Sequence, residues 1–217
     1  MKLFLHHYAE FFCLLISLYC YKQTKYSVFR WFPPFLLLTL CSELLATYIA
    51  HEWNLSNQLL YKALTTIAFV FYLFVLSSAI KNRILKKYTF KVILLLVAII
   101  FIQVFTLPVN VFHREAYLFG SCILVFYCFY YLYEIITGHD IDFKIEKEPF
   151  FWIVLGLLFF YLVGSAFIIF VNSFPKSFRD YFSQIMRWLS LIMYSCFAIS
   201  FLLCRINNEK YFSSSLR

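Results

Sequence analysis

Charge is scarce in this sequence. Only 14% of its 217 residues are Asp, Glu, Lys or Arg, where an ordinary soluble domain carries about 25%. Glycine is scarcer still, at 4, and proline numbers 5. The apolar share is 63%, and a soluble chain of this size has too little polar surface to cover it. A soluble enzyme, a disordered protein and a disulfide-rich secreted module are therefore excluded. Sequence motifs are missing too. The seven cysteines form no C-x-x-C, and there is no H-E-x-x-H, G-x-S-x-G or phosphate-binding glycine loop. No G-x-x-x-G marks a helix dimer. No lysine lies deep in the last apolar run, which excludes a retinal Schiff base. No catalytic motif, cofactor or specified metal follows from these residues.

What the chain does have is Leu, Ile, Phe and Tyr, with 29 Phe and 17 Tyr. They fall in seven runs that approach or reach the ~20 residues needed to span a bilayer. The runs are Phe4–Tyr21, Phe32–Ala50, Leu59–Ile80, Val92–Leu107, Ala116–Ile136, Phe150–Val171 and Trp188–Cys204. They are continuous rather than alternating, so they predict helices and not membrane strands. The first is interrupted early by His6, His7 and Glu10 and has no small-residue cleavage pattern after it, so it reads as a span rather than a signal. The fourth is the shortest and ends at Pro108. The expected fold is an all-α, single-domain bundle of seven transmembrane helices.

The net charge of +8 does not point to nucleic acid, because the basic residues lie in short clusters between apolar runs. Thirteen Lys and Arg fall on one side of the seven spans and six on the other. The basic side holds Lys22, Lys25, Arg30, the cluster Lys81 to Lys91, Lys144, Lys147 and the tail. The positive-inside rule puts that side in the cytoplasm, with the N-terminus outside and the C-terminus inside. Every loop is short, so a kinase, cyclase or ATPase domain has no room. The longest, Asn172 to Arg187, presents Phe174, Phe178, Tyr181, Phe182 and Ile185 on one face, as a surface-lying amphipathic helix would. Spans two and six both open on proline and aromatics (Arg30-Trp31-Phe32-Pro33-Pro34-Phe35 and Glu148-Pro149-Phe150-Phe151-Trp152), and spans three and seven on related patterns. This suggests a three-plus-one-plus-three repeat with span four as linker.

Glu43 stands out among the intramembrane polar residues. It lies about 10 Å below the outer end of span two, and Lys62 lies about 5 Å below the outer end of span three. A carboxylate at that depth costs roughly 2.5–3.5 kcal/mol on insertion scales, so it needs a partner. Lys62 is the expected one, whether the pair is a packing clamp or a site. A second group gathers at the outer helix ends: His6, His7 and Glu10, then His51 and Glu52, then His113 and Glu115. These residue types ligate zinc, but without a motif they read as interfacial residues meeting water. Near the cytoplasmic end of span five, Tyr127, Tyr130 and Tyr131 share a face with Glu134, as an aromatic pocket or a packing stripe.

The segments Tyr19-Cys20-Tyr21-Lys22 and Phe29-Arg30-Trp31-Phe32, with Glu43, Asn57 and Glu148-Pro149-Phe150-Phe151-Trp152-Ile153, give the chain a resemblance. It resembles small seven-helix membrane proteins of Bacteroidota-type bacteria. That resemblance implies a bacterial inner-membrane bundle and no particular activity. The leading expectation is a non-enzymatic sensor or signalling component, in contact with the bilayer and with a protein partner at its basic cytoplasmic loops. The alternatives are a small-solute or proton-linked transporter with its site near Glu43, a metal-dependent membrane hydrolase, and a pore-forming or accessory effector of a defence system.

Overall fold

Long helices occupy all seven apolar runs in a computed structural model that describes residues 5–24, 28–53, 57–106, 114–138, 144–170 and 176–214. Among the described residues every regular element is helical. The elements are α1 (Leu5–Tyr19), a single turn α2 (Tyr21–Thr24), α3 (Phe32–Glu52), α4 (Gln58–Ala79), α5 (Arg83–Thr106), α6 (Arg114–Thr137), α7 (Pro149–Phe170) and α8 (Lys176–Ser214). Short 3-10 turns at Val28–Trp31 and Ile145–Lys147 lead into α3 and α7. Proline in the first turn of α3 (Pro33, Pro34) and of α7 (Pro149) starts these helices where a missing N–H costs nothing.

Three helix ends differ from the sequence expectation by more than two turns, one of them the end of the last helix, at Ser214 rather than Cys204. The fourth helix begins at Arg83 rather than Val92, because Asn82 caps it. Asn82 Oδ1 accepts the backbone N–H groups of Ile84 at 2.9 Å and Leu85 at 3.2 Å. The last helix begins at Lys176 and runs 39 residues without a break. Nothing between Lys176 and Ser214 is Gly or Pro, so the expected surface helix and the last span fuse into one rod.

Five helical segments are long and apolar enough to cross a membrane: Val28–Glu52, Gln58–Ala79, Arg114–Thr137, Pro149–Phe170 and Gln184–Ile206. Helix α1, with 15 residues, and α5, whose first turns carry Arg83, Lys86, Lys87 and Lys91, complete the bundle. The surface agrees with a lipid environment. Large apolar side chains such as Phe12, Phe90, Phe101, Phe126 and Ile136 point outward. Hydroxyls turn back onto their own helices, as Ser17 does to Leu14 O, Thr47 to Glu43 O and Thr66 to Lys62 O. In a medium without water, that is how a helix satisfies a polar side chain.

The helices pack as a ring in the order α1, α3, α4, α6, α7, α8, with α8 closing back on α1, and α5 lies outside against α4 and α6. Successive long helices alternate in direction. At one end Asn57 Nδ2 donates to Ala46 O, and Arg114 Nη2 donates to Ile169 O. At the other, Arg205 lies 4.2 Å over the Tyr19 ring and Phe29 meets Phe150 at 5.1 Å. The basic α4–α5 turn lies at this second end. Gly156 sets the spacing of α7 and α8. A Cβ there would lie 3.0 Å from Cys196 Cβ and 3.2 Å from the Met193 carbonyl oxygen.

Candidate functional site

Helix α1 is wedged between α3 and α8, and its buried stripe starts polar. His7, Glu10, the adjacent Cys13 and Leu14, and Ser17 are spaced by helical turns on the face turned inward. Glu10 is fully buried. Its Oε1 accepts a hydrogen bond of 3.0 Å from the Tyr194 hydroxyl on α8. Its Oε2 is buried beside the carboxyl of Glu43. Thr39, one turn before Glu43 on α3, is buried next to it and donates its own hydroxyl to Leu36 O.

Glu43 therefore finds its neighbours on α1. Its Oε2 lies 3.4 Å from His6 Nε2 and 3.8 Å from His7 Nε2. The two imidazole rings face each other with centroids 4.0 Å apart. Lys62, the partner expected from depth along the helices, is buried on α4. Arg187 on α8 is close enough to act electrostatically on His6 and on Tyr61 of α4. The side chains of His6, His7 and Glu43 are 13%, 5% and 20% exposed, so the cluster is nearly enclosed yet reachable. Chemically it offers two carboxyls and two imidazoles within one small volume. Such a set takes up protons or a cation far more readily than an anion.

The cluster lies toward the end of the bundle where α1 begins and α3 ends. Beyond it, the axis is filled with aromatic rings. Tyr194 meets Phe197 at 6.2 Å, and Phe197 meets Phe32 at 5.6 Å. Phe32 meets Phe201 at 5.3 Å, while Phe35 stacks on Phe71 at 3.9 Å. These side chains are buried, Phe71 only partly, and fill the bundle between the polar cluster and the basic end.

The remaining sequence candidates go elsewhere. Both Glu134 oxygens are taken by the α4–α5 turn: the Lys81 N–H at 2.6 Å and the Asn82 N–H at 2.9 Å. Asn82 Nδ2 donates in turn to the Tyr130 hydroxyl at 2.6 Å. Tyr127 and Thr89 share a hydrogen bond of 2.9 Å between α6 and α5. This is a clamp that fixes a turn, and it leaves Glu134 little capacity for a ligand. His51 is exposed at the end of α3, 3.8 Å from Glu52. His113 lies outside the described residues. Sequence reading missed Tyr194, Thr39 and Arg187. A tyrosine inside an apolar run carries no local signal of what it will touch.

Among known proteins, no family model, curated sequence or solved structure matches this chain.

Proposed function

We propose that the chain is a seven-span inner-membrane protein that acts as a non-enzymatic sensor or signalling component, with its ligand site at His6, His7, Glu10 and Glu43. One observation carries this reading: the ionisable cluster stands toward one end of the bundle, with packed aromatic rings beyond it. Ionisable residues kept within a membrane mark a site by default, because insertion alone selects against them. The excess of Lys and Arg at the opposite end supports an outward-facing site and a cytoplasmic basic end. A ligand that draws α1 toward α3 shifts α1 against α8. Shifts of about 1–2 Å between packed helices are enough for signalling. Helix α8 is suited to carry such a shift. Its 39 residues extend about 58 Å at 1.5 Å per residue, well beyond the ~30 Å hydrocarbon core. A protein partner would read the movement at the basic loops.

A proton-linked transporter is the second reading, favoured by the paired carboxyls of Glu10 and Glu43. Intramembrane acids of this kind serve as proton relays. Position α5, outside the ring, is where the linker of a three-plus-one-plus-three duplication would stand.

Reporter fusions test the orientation on which the sensor reading rests. A C-terminal alkaline phosphatase fusion is expected to be inactive and a C-terminal fluorescent-protein fusion bright, which places the C-terminus in the cytoplasm. An active phosphatase fusion would turn the cluster toward the cytoplasm and remove the case for an external ligand.

A further inference from the structure

We infer that His6, His7 and Glu43 form a binding site for a divalent transition-metal cation of the zinc class, with Glu10 as the supporting carboxyl behind it. The inference rests on the reading of this cluster as a ligand site and names what occupies it.

The spacing of the donor atoms carries the argument. Zinc bonds nitrogen and carboxylate oxygen at about 2.0–2.2 Å in a tetrahedral shell. Two ligands of such a shell are therefore about 3.3–3.6 Å apart. The observed separations from Glu43 Oε2 are 3.4 Å to His6 Nε2 and 3.8 Å to His7 Nε2. A charge-assisted hydrogen bond would be shorter, at about 2.7–2.9 Å. The His6 separation falls in the zinc range, the His7 separation lies just beyond it, and all three donor atoms lie within 4.8 Å of one another. Consecutive positions on a helix point about 100° apart, so adjacent histidines ordinarily diverge. Here both Nε2 atoms converge on one carboxylate oxygen from another helix.

A second, independent observation comes from Glu10. Its side chain is completely buried, with Thr39 and the Glu43 carboxyl against it. Its Oε1 is fixed by Tyr194. Two buried carboxyls side by side are satisfied either by a shared proton or by nearby positive charge. Arg187 supplies part of it near His6, and a dication between the two helices supplies the rest. Three protein ligands leave one position of the shell open, and the partial exposure of His6 and Glu43 gives an entry path. The metal would also tie α1 to α3, which is the helix movement a sensor requires. Transition-metal availability outside the cell would then be the quantity read. The sequence carries the zinc-binding residue types at His6 and His7, but the ligands come from two helices and follow no motif.

The test uses the full chain purified in detergent, stripped with a chelator and then dialysed against Zn2+ alone. One zinc per chain is expected. Co2+ in its place is expected to give the visible d–d bands of a tetrahedral nitrogen–oxygen site. Changes behind a metal ligand alone cost about 10–100-fold in affinity. Loss of a ligand in His6→Gln, His7→Gln or Glu43→Gln is therefore expected to weaken binding at least ~100-fold. His51→Ala, at an exposed position away from the cluster, is expected to bind as the parent does. Thermal melting of each metal-free variant identifies any that fail to fold, and the Gln changes retain polar bulk to guard against it. A folded parent that takes up no zinc overturns the inference. So does stoichiometric zinc that survives all three substitutions. Neither result alters the accessibility of position 43 from one side of the membrane, so the metal and the ligand site itself stand or fall separately.

Discussion

Tyr194→Phe is expected to destabilise the protein by roughly 2–3 kcal/mol, although it deletes one oxygen atom. That oxygen donates to Glu10 Oε1 at 3.0 Å, and Glu10 is fully buried. Removing one partner from a buried polar pair leaves the other with its full desolvation cost, about 1–3 kcal/mol and more for a charged group. Replacing both partners with apolar groups is far cheaper, and can be nearly neutral. The double variant Tyr194→Phe with Glu10→Leu is therefore expected to recover much of what Tyr194→Phe loses. Thermal melting in detergent of both singles and the double measures the coupling. Strict additivity would mean that the hydroxyl and the carboxyl do not depend on each other.

Gly156→Leu is expected to cost about 3 kcal/mol or more, and to broaden or abolish the monodisperse peak in gel filtration. The obstruction is backbone as well as side chain. A Cβ at this position lies 3.2 Å from the Met193 carbonyl oxygen and 3.3 Å from Met193 Cα. A helix backbone cannot rotate out of the way as a side-chain end can. Helices α7 and α8 must therefore separate, and overpacking of this sort costs about 1–3 kcal/mol even when milder. Gly164→Ala on the same helix is the contrast. Its Cβ would meet the Met186 side-chain end at 3.4 Å and the Tyr117 hydroxyl at 3.3 Å. Flexible Met186 can yield there, and alanine gains up to about 1 kcal/mol in helix propensity over glycine. Gly164→Ala is expected to melt close to the parent. A Gly156→Leu protein that melts with it would refute the close α7–α8 approach.

Seven helices were legible in the sequence because each is a continuous apolar run, and length alone separates such runs from strands. Their ends were less so. Asn82 is a helix cap, but it stands among charged residues that resemble a loop, and nine residues of α5 were assigned to that loop. The start of α8 was obscured because an amphipathic stretch and an apolar stretch have different patterns along one unbroken helix.

The site was half legible. Glu43 announces itself as a charge inside a span, and His6 and Glu10 announce a shared face by their spacing of four. What the sequence could not show is that these two features meet. Depth along the helices pointed to Lys62 as the partner of Glu43. Depth does not show that α1 packs against both α3 and α8, which is a long-range fact. The same limit hid Tyr194, which comes 184 residues after its partner Glu10. It also made His51 and His113 look equivalent to His6 and His7, although His51 lies exposed at the end of α3.

The central claim is that the cluster around Glu43 is a ligand site reached from one side of the membrane. Its most direct test is labelling of a single cysteine at that position. Glu43→Cys is placed in a chain whose seven native cysteines are replaced by alanine or serine, and a charged, membrane-impermeant thiol reagent is applied. Spheroplasts expose the outer face of the membrane, and inverted vesicles expose the cytoplasmic face. Labelling in spheroplasts and protection in inverted vesicles is the predicted result. Labelling from both sides would replace the sensor with the transporter. Protection from both sides would reduce the cluster to a buried packing clamp and contradict the claim.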